Sequence, residues 1–204
     1  MSRNDEEFPL VFLNSWILQA ILKRLRSQPN FVGSLVEKNF ITSSSIDGKV
    51  PILRISGFLK VTNDCSLSVV LSDATHKVLA SFPYHPTILN FEIAYKQRIT
   101  YHTLNCLIGI KHAHLRFVNN YELKEKFGFS QLDDTDVAVL EIIDLFIFDR
   151  DQIYLGVNIE KKLNFIYWEL EYQKECGSMM KTSLDTVKNV EEKITDNYDD
   201  MISL

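Results

Sequence analysis

Hydrophobic and polar positions alternate most clearly in the middle of the chain. Apolar residues dominate from Leu104 to Ile110, and Lys111-His112-Ala113-His114-Leu115-Arg116-Phe117-Val118 then alternates, as a half-buried strand does. Gly109 interrupts the run, which predicts a bulge or sharp curvature. Thr100, His102, Thr103 and Asn105 precede the apolar run, so they fall at a strand end or on its outer face, as a polar lip. Similar runs predict strands over Val50–Val61, with Gly57 at a bulge, and over Leu67–Leu71, Lys77–Phe82 and Val137–Phe148. Ser72-Asp73-Ala74-Thr75 reads as a hairpin connection, and Thr62-Asn63-Asp64 as a turn.

Helical spacing replaces alternation in three places. Leu13, Trp16, Ile17, Ala20 and Ile21 share one face of a helix that Asn14 or Ser15 would cap, with Lys23, Arg24 and Arg26 at its far end. A second helix opens at His85-Pro86 and runs to about Lys96. A third is expected over Leu163–Tyr172. Asn30–Lys49 reads as a connection with a short extended piece, and Asn119–Gln131 as a polar excursion with a short helix. The order is helix, three strands, helix, two strands, helix. That is the order of a five-stranded OB-fold barrel, a mainly β (α+β) class. We expect residues 1–9 to be a flexible start, 10–172 a single domain, and 173–204 a charged, mobile or conditionally helical tail with a weak stripe of Leu184, Val187, Val190 and Ile194.

Composition narrows the function. The 204 residues are 46% hydrophobic and 11% aromatic, enough for one sizeable core. A net charge of −5 argues against a general nucleic-acid coat, which needs many cations for phosphates, but leaves room for a local basic groove. Three cysteines without tight spacing make no disulfide framework and no metal knuckle; reduced thiols are expected. The polar, acidic start is unlike a secretory signal, and Val137–Phe148, broken by Glu141 and Asp144, is too short to span a bilayer.

No Gly-rich phosphate loop, G-x-S-x-G elbow or H-E-x-x-H is present, so no enzyme activity, cofactor or metal is expected. His112-x-His114 puts two imidazoles on one strand face without an evident third ligand, and Asp149-x-Asp151 reads as a solvated or paired strand end. Tyr95, Tyr101 and Phe117 lie near Arg98, Lys111 and Arg116, the mixture with which OB barrels stack single strands, although such aromatics more often belong to a core. By residue type alone, Trp16 reads as a core anchor rather than part of a partner surface.

Four segments carry a resemblance. They are Val11 to Ile17, Ser72 to Leu79, Arg98 to Ile108 and Ile147 to Ile153. In this order they resemble the family of budding-yeast telomerase accessory subunits typified by the third "ever shorter telomeres" protein. That family is similar to the OB domain of the mammalian shelterin subunit that recruits telomerase. The resemblance implies a non-catalytic regulatory module at the nuclear chromosome telomere. Its implied partners are the telomerase reverse transcriptase, the telomerase ribonucleoprotein and other accessory subunits. It also implies that Trp16 belongs to the partner surface, with His102, Thr103, Asn105, Asp151 and Ile153, and that Asp73 matches the family's hairpin Asp. His102 stands where the family can have Glu. Arg54 is the candidate partner of Asp151, tying the first strand to the segment after the last. Direct binding of single-stranded nucleic acid is the alternative reading.

Overall fold

A computed structural model describes residues 13–27, 36–42, 50–130, 136–150 and 163–176. Chain order runs α1 (Ile17–Ser27), β1 (Val36–Ile41), β2 (Ile52–Val61), β3 (Leu67–Ser72), β4 (His76–Phe82), a wide turn Tyr84–Ile88 leading into α2 (Leu89–Tyr95), a 3-10 turn Tyr101–Thr103, and β5 (Leu107–Val118). There follow α3 (Asn120–Glu122), continued by a wide turn Leu123–Phe127, then β6 (Val137–Asp149), β7 (Asn164–Phe165), a 3-10 turn Ile166–Trp168, and α4 over 170–176.

The strands pair in the order β5-β2-β3-β4-β6, and β6 returns to β5 along most of its length. This closes the five-stranded barrel expected of an OB fold. Two strands were not counted from the pattern. β1 pairs with the Ala113–Arg116 half of β5, beyond the Leu107–Gly109 stretch that β2 occupies, and β7 pairs with the start of β4. The expected 163–172 helix is therefore a strand, a 3-10 turn and only then a helix that continues to 176. Its dense aromatic spacing fits both periods, and pairing to β4 decides for strand.

Val69, Leu71, Leu79, Ile108, Ile110, Leu115 and Leu140 fill the barrel, and Ile17, Ile21, Leu22 and Leu25 of α1 extend the core. β2 shifts register between Ile55 and Gly57, where a bulge is expected. Gly109 has a different reason. The register shifts in β5 flank it, and Gly109 itself pairs opposite Phe146, whose ring lies where a Cβ would stand, 2.3 Å away. Gly109→Ala is therefore expected to lower unfolding stability by about 1–3 kcal/mol through overpacking. Urea denaturation should show a lower midpoint with an unchanged slope.

Helix α2 is pinned to β6 from two sides. The buried Thr87 hydroxyl donates to Ile142 O at 2.6 Å and Ile143 O at 3.1 Å, and the Tyr95 hydroxyl accepts from Ile147 N at 3.0 Å. His85 is extended and the residues from Pro86 on are helical, so the helix opens at Pro86 with one wide turn before regular α2.

The shortest ladder in the ring is β4–β6. Its parallel register holds only Ala80↔Leu140 and Ser81↔Glu141. Beyond it, two buried phenols carry the pairing on. The Tyr167 hydroxyl accepts from Leu79 N at 3.0 Å and donates to Ala138 O at 2.6 Å; the Tyr172 hydroxyl accepts from Ala138 N at 2.9 Å. Buried backbone groups need such partners, and here the C-terminal segment supplies them.

Candidate functional site

The start of α1, the β3–β4 turn, the first half of β2 and the 100–106 turn meet at one end of the barrel. Asp73 organises two of them. Its carboxylate, 1% exposed, accepts from Trp16 N at 2.8 Å and Ile17 N at 2.9 Å through Oδ2. Through Oδ1 it accepts from Thr75 N and His76 N, both at 2.8 Å, and from the Thr75 hydroxyl at 3.2 Å. A carboxylate here meets the first N–H groups and the positive end of the helix dipole. The expected cap by Asn14 or Ser15 is corrected: both side chains are exposed, and Ser15 instead pairs its hydroxyl with that of Thr75 at 2.6 Å. The cap comes from a turn almost sixty residues away, which no local pattern announces.

Trp16 is half-buried. It packs against the core, and its indole N–H donates to Ile52 O at 3.3 Å. The core-anchor and surface readings each describe part of the ring. Three residues further along β2, about 10 Å at strand rise, Asn105 N donates to Ile55 O at 2.8 Å and Ile55 N to Cys106 O at 3.1 Å. One short stretch of β2 thus carries Trp16 at one end and the 100–106 turn at the other.

Within that turn Thr100 is the cap and Thr103 the latch. The Thr103 hydroxyl donates to Thr100 O at 2.7 Å, and the side chain is buried. Thr103 thus turns inward and closes the turn. Asn105 adopts a left-handed backbone, φ 65°, a conformation Asn tolerates better than most residues, and its Oδ1 is buried without a hydrogen-bond partner. His102 is exposed, and its ring stacks on Tyr101 with centroids 3.9 Å apart. Arg54 is buried on β2. Asp151 and Ile153, and with them the Arg54–Asp151 pairing, lie outside the described residues.

The aromatic platform drawn from the sequence comes apart. Phe117 points into the core because β5 alternation puts it there, and the Tyr95 hydroxyl is taken by Ile147 N. Arg116 is paired with Glu122 at 3.2 Å and Glu141 at 3.4 Å, while Lys111 lies over the Phe146 ring. Of the three aromatics only Tyr101, 73% exposed, is open. His112 Nε2 donates to Lys38 O at 2.8 Å, and His114 Nδ1 meets Glu141 Oε2 at 2.9 Å, so both imidazoles serve sheet contacts. Sequence reasoning missed Tyr167 and Tyr172. Their signal was present as aromatics in a run denser than a helix face needs.

Residues 13–164 match the family profile described as "Shelterin complex subunit, TPP1/ACD". The Telomere replication protein EST3 of Debaryomyces hansenii is 49% identical over 198 residues, covering 97% of this chain and 98% of that protein. This chain belongs to the EST3 family. EST3 of Candida albicans is 33% identical over 87% of this chain and 83% of its own length. The solved structure of the Est3 telomerase subunit in the yeast Hansenula polymorpha superposes with a TM-score of 0.54 and 22% identity, covering 86% of this chain and 93% of that one, and so agrees in fold. The four segments that carry the resemblance include the residues leading into α1, the β3–β4 turn and the 100–106 turn, the parts that build this end of the barrel.

Proposed function

We propose that this chain is a non-catalytic accessory subunit of telomerase, working in the nucleus at the chromosome telomere. It binds the telomerase reverse transcriptase, within the ribonucleoprotein and beside other accessory subunits, through the barrel end that carries Trp16. The observation that carries the reading is near-full-length identity of 49% to a Telomere replication protein EST3, supported by a fold shared with a solved Est3 telomerase subunit. The chemistry of the surface suits a protein partner. A half-buried Trp held by one hydrogen bond lies at one end of this stretch of β2, and exposed His102 and Tyr101 with the polar Asn105 lie at its other end, about 10 Å along the strand, an aromatic anchor and a polar flank on one barrel end. Of the buried polar groups here, Asp73 serves a cap and a turn and Thr103 a turn.

The test is recovery of reverse transcriptase and telomerase RNA with tagged protein. Trp16→Ala is expected to cost the interface about 2 kcal/mol or more, the size of a hot-spot residue, and so to cut recovery at least about tenfold. Trp16→Phe, which keeps the packing but not the indole N–H, should fall between. Circular dichroism must show both variants folded, because Trp16 also touches the core. Undiminished recovery with folded Trp16→Ala and Asn105→Ala proteins would overturn the proposed surface. Salt-sensitive binding of a single strand that Tyr101→Ala abolishes would favour direct nucleic-acid binding instead.

A further inference from the structure

Away from the Trp16 end, the segment after β7 exposes large apolar side chains. Trp168 is 62% exposed and Leu170 71%. Trp168 stands edge-on to Phe165, ring centroids 5.4 Å apart, and Phe165 stands edge-on to Phe129 at 5.7 Å. Phe129 is itself exposed. Phe165 is anchored from below, stacked on the buried Tyr167 ring at 6.0 Å. The result is a rigid aromatic shelf built on the two phenols that complete the β4–β6 seam. Lys77, the register partner of Phe165 across β4–β7, lies at its edge and has no ion-pair partner among the described residues. A contiguous apolar surface rimmed by a cation marks a docking place.

We propose that this shelf is the docking site of the chain's own segment 183–195. Helix α4 is described as far as 176, directly after the shelf, and 28 residues follow in the sequence. In that stretch Leu184, Val187, Val190 and Ile194 fall within one third of a turn around a helix, and Thr182 with Asp185 three residues on is a helix-start signature. Thirteen residues of helix span about 20 Å, enough to cover the three rings. The connection from 177 to 182 reaches about 20 Å when extended. Residues 183–195 carry three carboxylates, Asp185, Glu191 and Glu192, against two lysines, so the segment brings carboxylates toward the Lys77 side of the shelf. An isolated helix of this length with so narrow a stripe is marginal in water, and the aromatic shelf supplies the missing face.

The test uses the full chain. Hydrogen exchange read by mass spectrometry should show amides 184–194 protected in the wild type. Trp168→Ser should abolish that protection while leaving α1 and β5 unchanged. Val187→Asp with Val190→Asp, in a Trp16→Phe background where Trp168 is the sole indole, should shift Trp168 emission to the red and raise its quenching by acrylamide. Unprotected amides in the wild type, or protection that survives Trp168→Ser, would overturn the proposal. Shielding of Trp168 that disappears on dilution would overturn it in favour of a second copy of the chain.

Discussion

Asp73→Ala is expected to lower unfolding stability by about 3–5 kcal/mol, more than any other single substitution at this end of the barrel. The carboxylate is buried and accepts from four backbone N–H groups and a hydroxyl. Alanine strands two donors at the start of α1 and two in the β3–β4 turn at once. Loss of a single cap costs about 0.5–2 kcal/mol, and each stranded buried donor about 1–3 kcal/mol, with shared relaxation keeping the total below the sum. Against a domain stability of about 5–15 kcal/mol, that is a large fraction. Asp73→Asn should recover less than half, because its amide N–H groups would face donors on one of the two sides. Urea denaturation reads the change, and hydrogen exchange should show α1 losing protection before the barrel does. An Asp73→Ala protein as stable as wild type would mean that α1 is held by its apolar face alone. Under the proposed function the variant is also expected to recover less reverse transcriptase, by releasing Trp16 rather than by removing a contact.

Tyr167→Phe is expected to cost about 2–4 kcal/mol, from the two orphaned groups at Leu79 N and Ala138 O. Tyr172→Phe orphans one, Ala138 N, and should cost less. The two should not add, since both hydroxyls meet the same residue of β6. The same corner makes stability fall in alkali. Burial pushes both phenols above their usual range, and it pushes the Cys176 thiol from 9.0 up to about 11. The folded state thus holds these protons more tightly than the unfolded chain. Their stabilising effect is complete below pH 9 and is lost as pH rises from 9 toward 11 and beyond. Denaturation midpoints measured from pH 7 to pH 11 should be flat and then decline, and in Cys176→Ala the thiol's part of the decline should be absent.

The barrel was legible because the second half of β5 alternates, because the other barrel strands show as apolar runs bounded by turn residues, and because Gly57 marks its bulge in β2. What the pattern could not carry is partnership at a distance. Asp73 looks like an ordinary turn residue; only the packing of α1 over the hairpin makes it a helix cap. Thr103 reads as part of a polar lip, yet its hydroxyl bends back to Thr100 and buries it. Gly109 suggests curvature, while its actual constraint is the Phe146 ring on the neighbouring strand. Tyr167 and Tyr172 sit in a run of aromatics whose spacing fits helix and strand alike, and the Ala138 backbone gives them their role. Of the candidate surface, His102 is exposed, Trp16 and Asn105 are half-buried and Thr103 is buried, while Asp151 and Ile153 lie outside the described residues.

The hydroxyls that complete the β4–β6 seam have a consequence for how the protein is made. On the ribosome β4 emerges early and β6 much later, and the two phenols that finish joining them come from residues 167 and 172, later still. Until then a nascent chain carries β4 with one edge unpaired, the kind of edge that recruits foreign strands. Asp73 precedes β4 in the chain, so the first turn of α1 can be satisfied before the sheet closes. Ring closure itself comes late in synthesis, because it needs β6 and takes its last hydrogen bonds from Tyr167 and Tyr172.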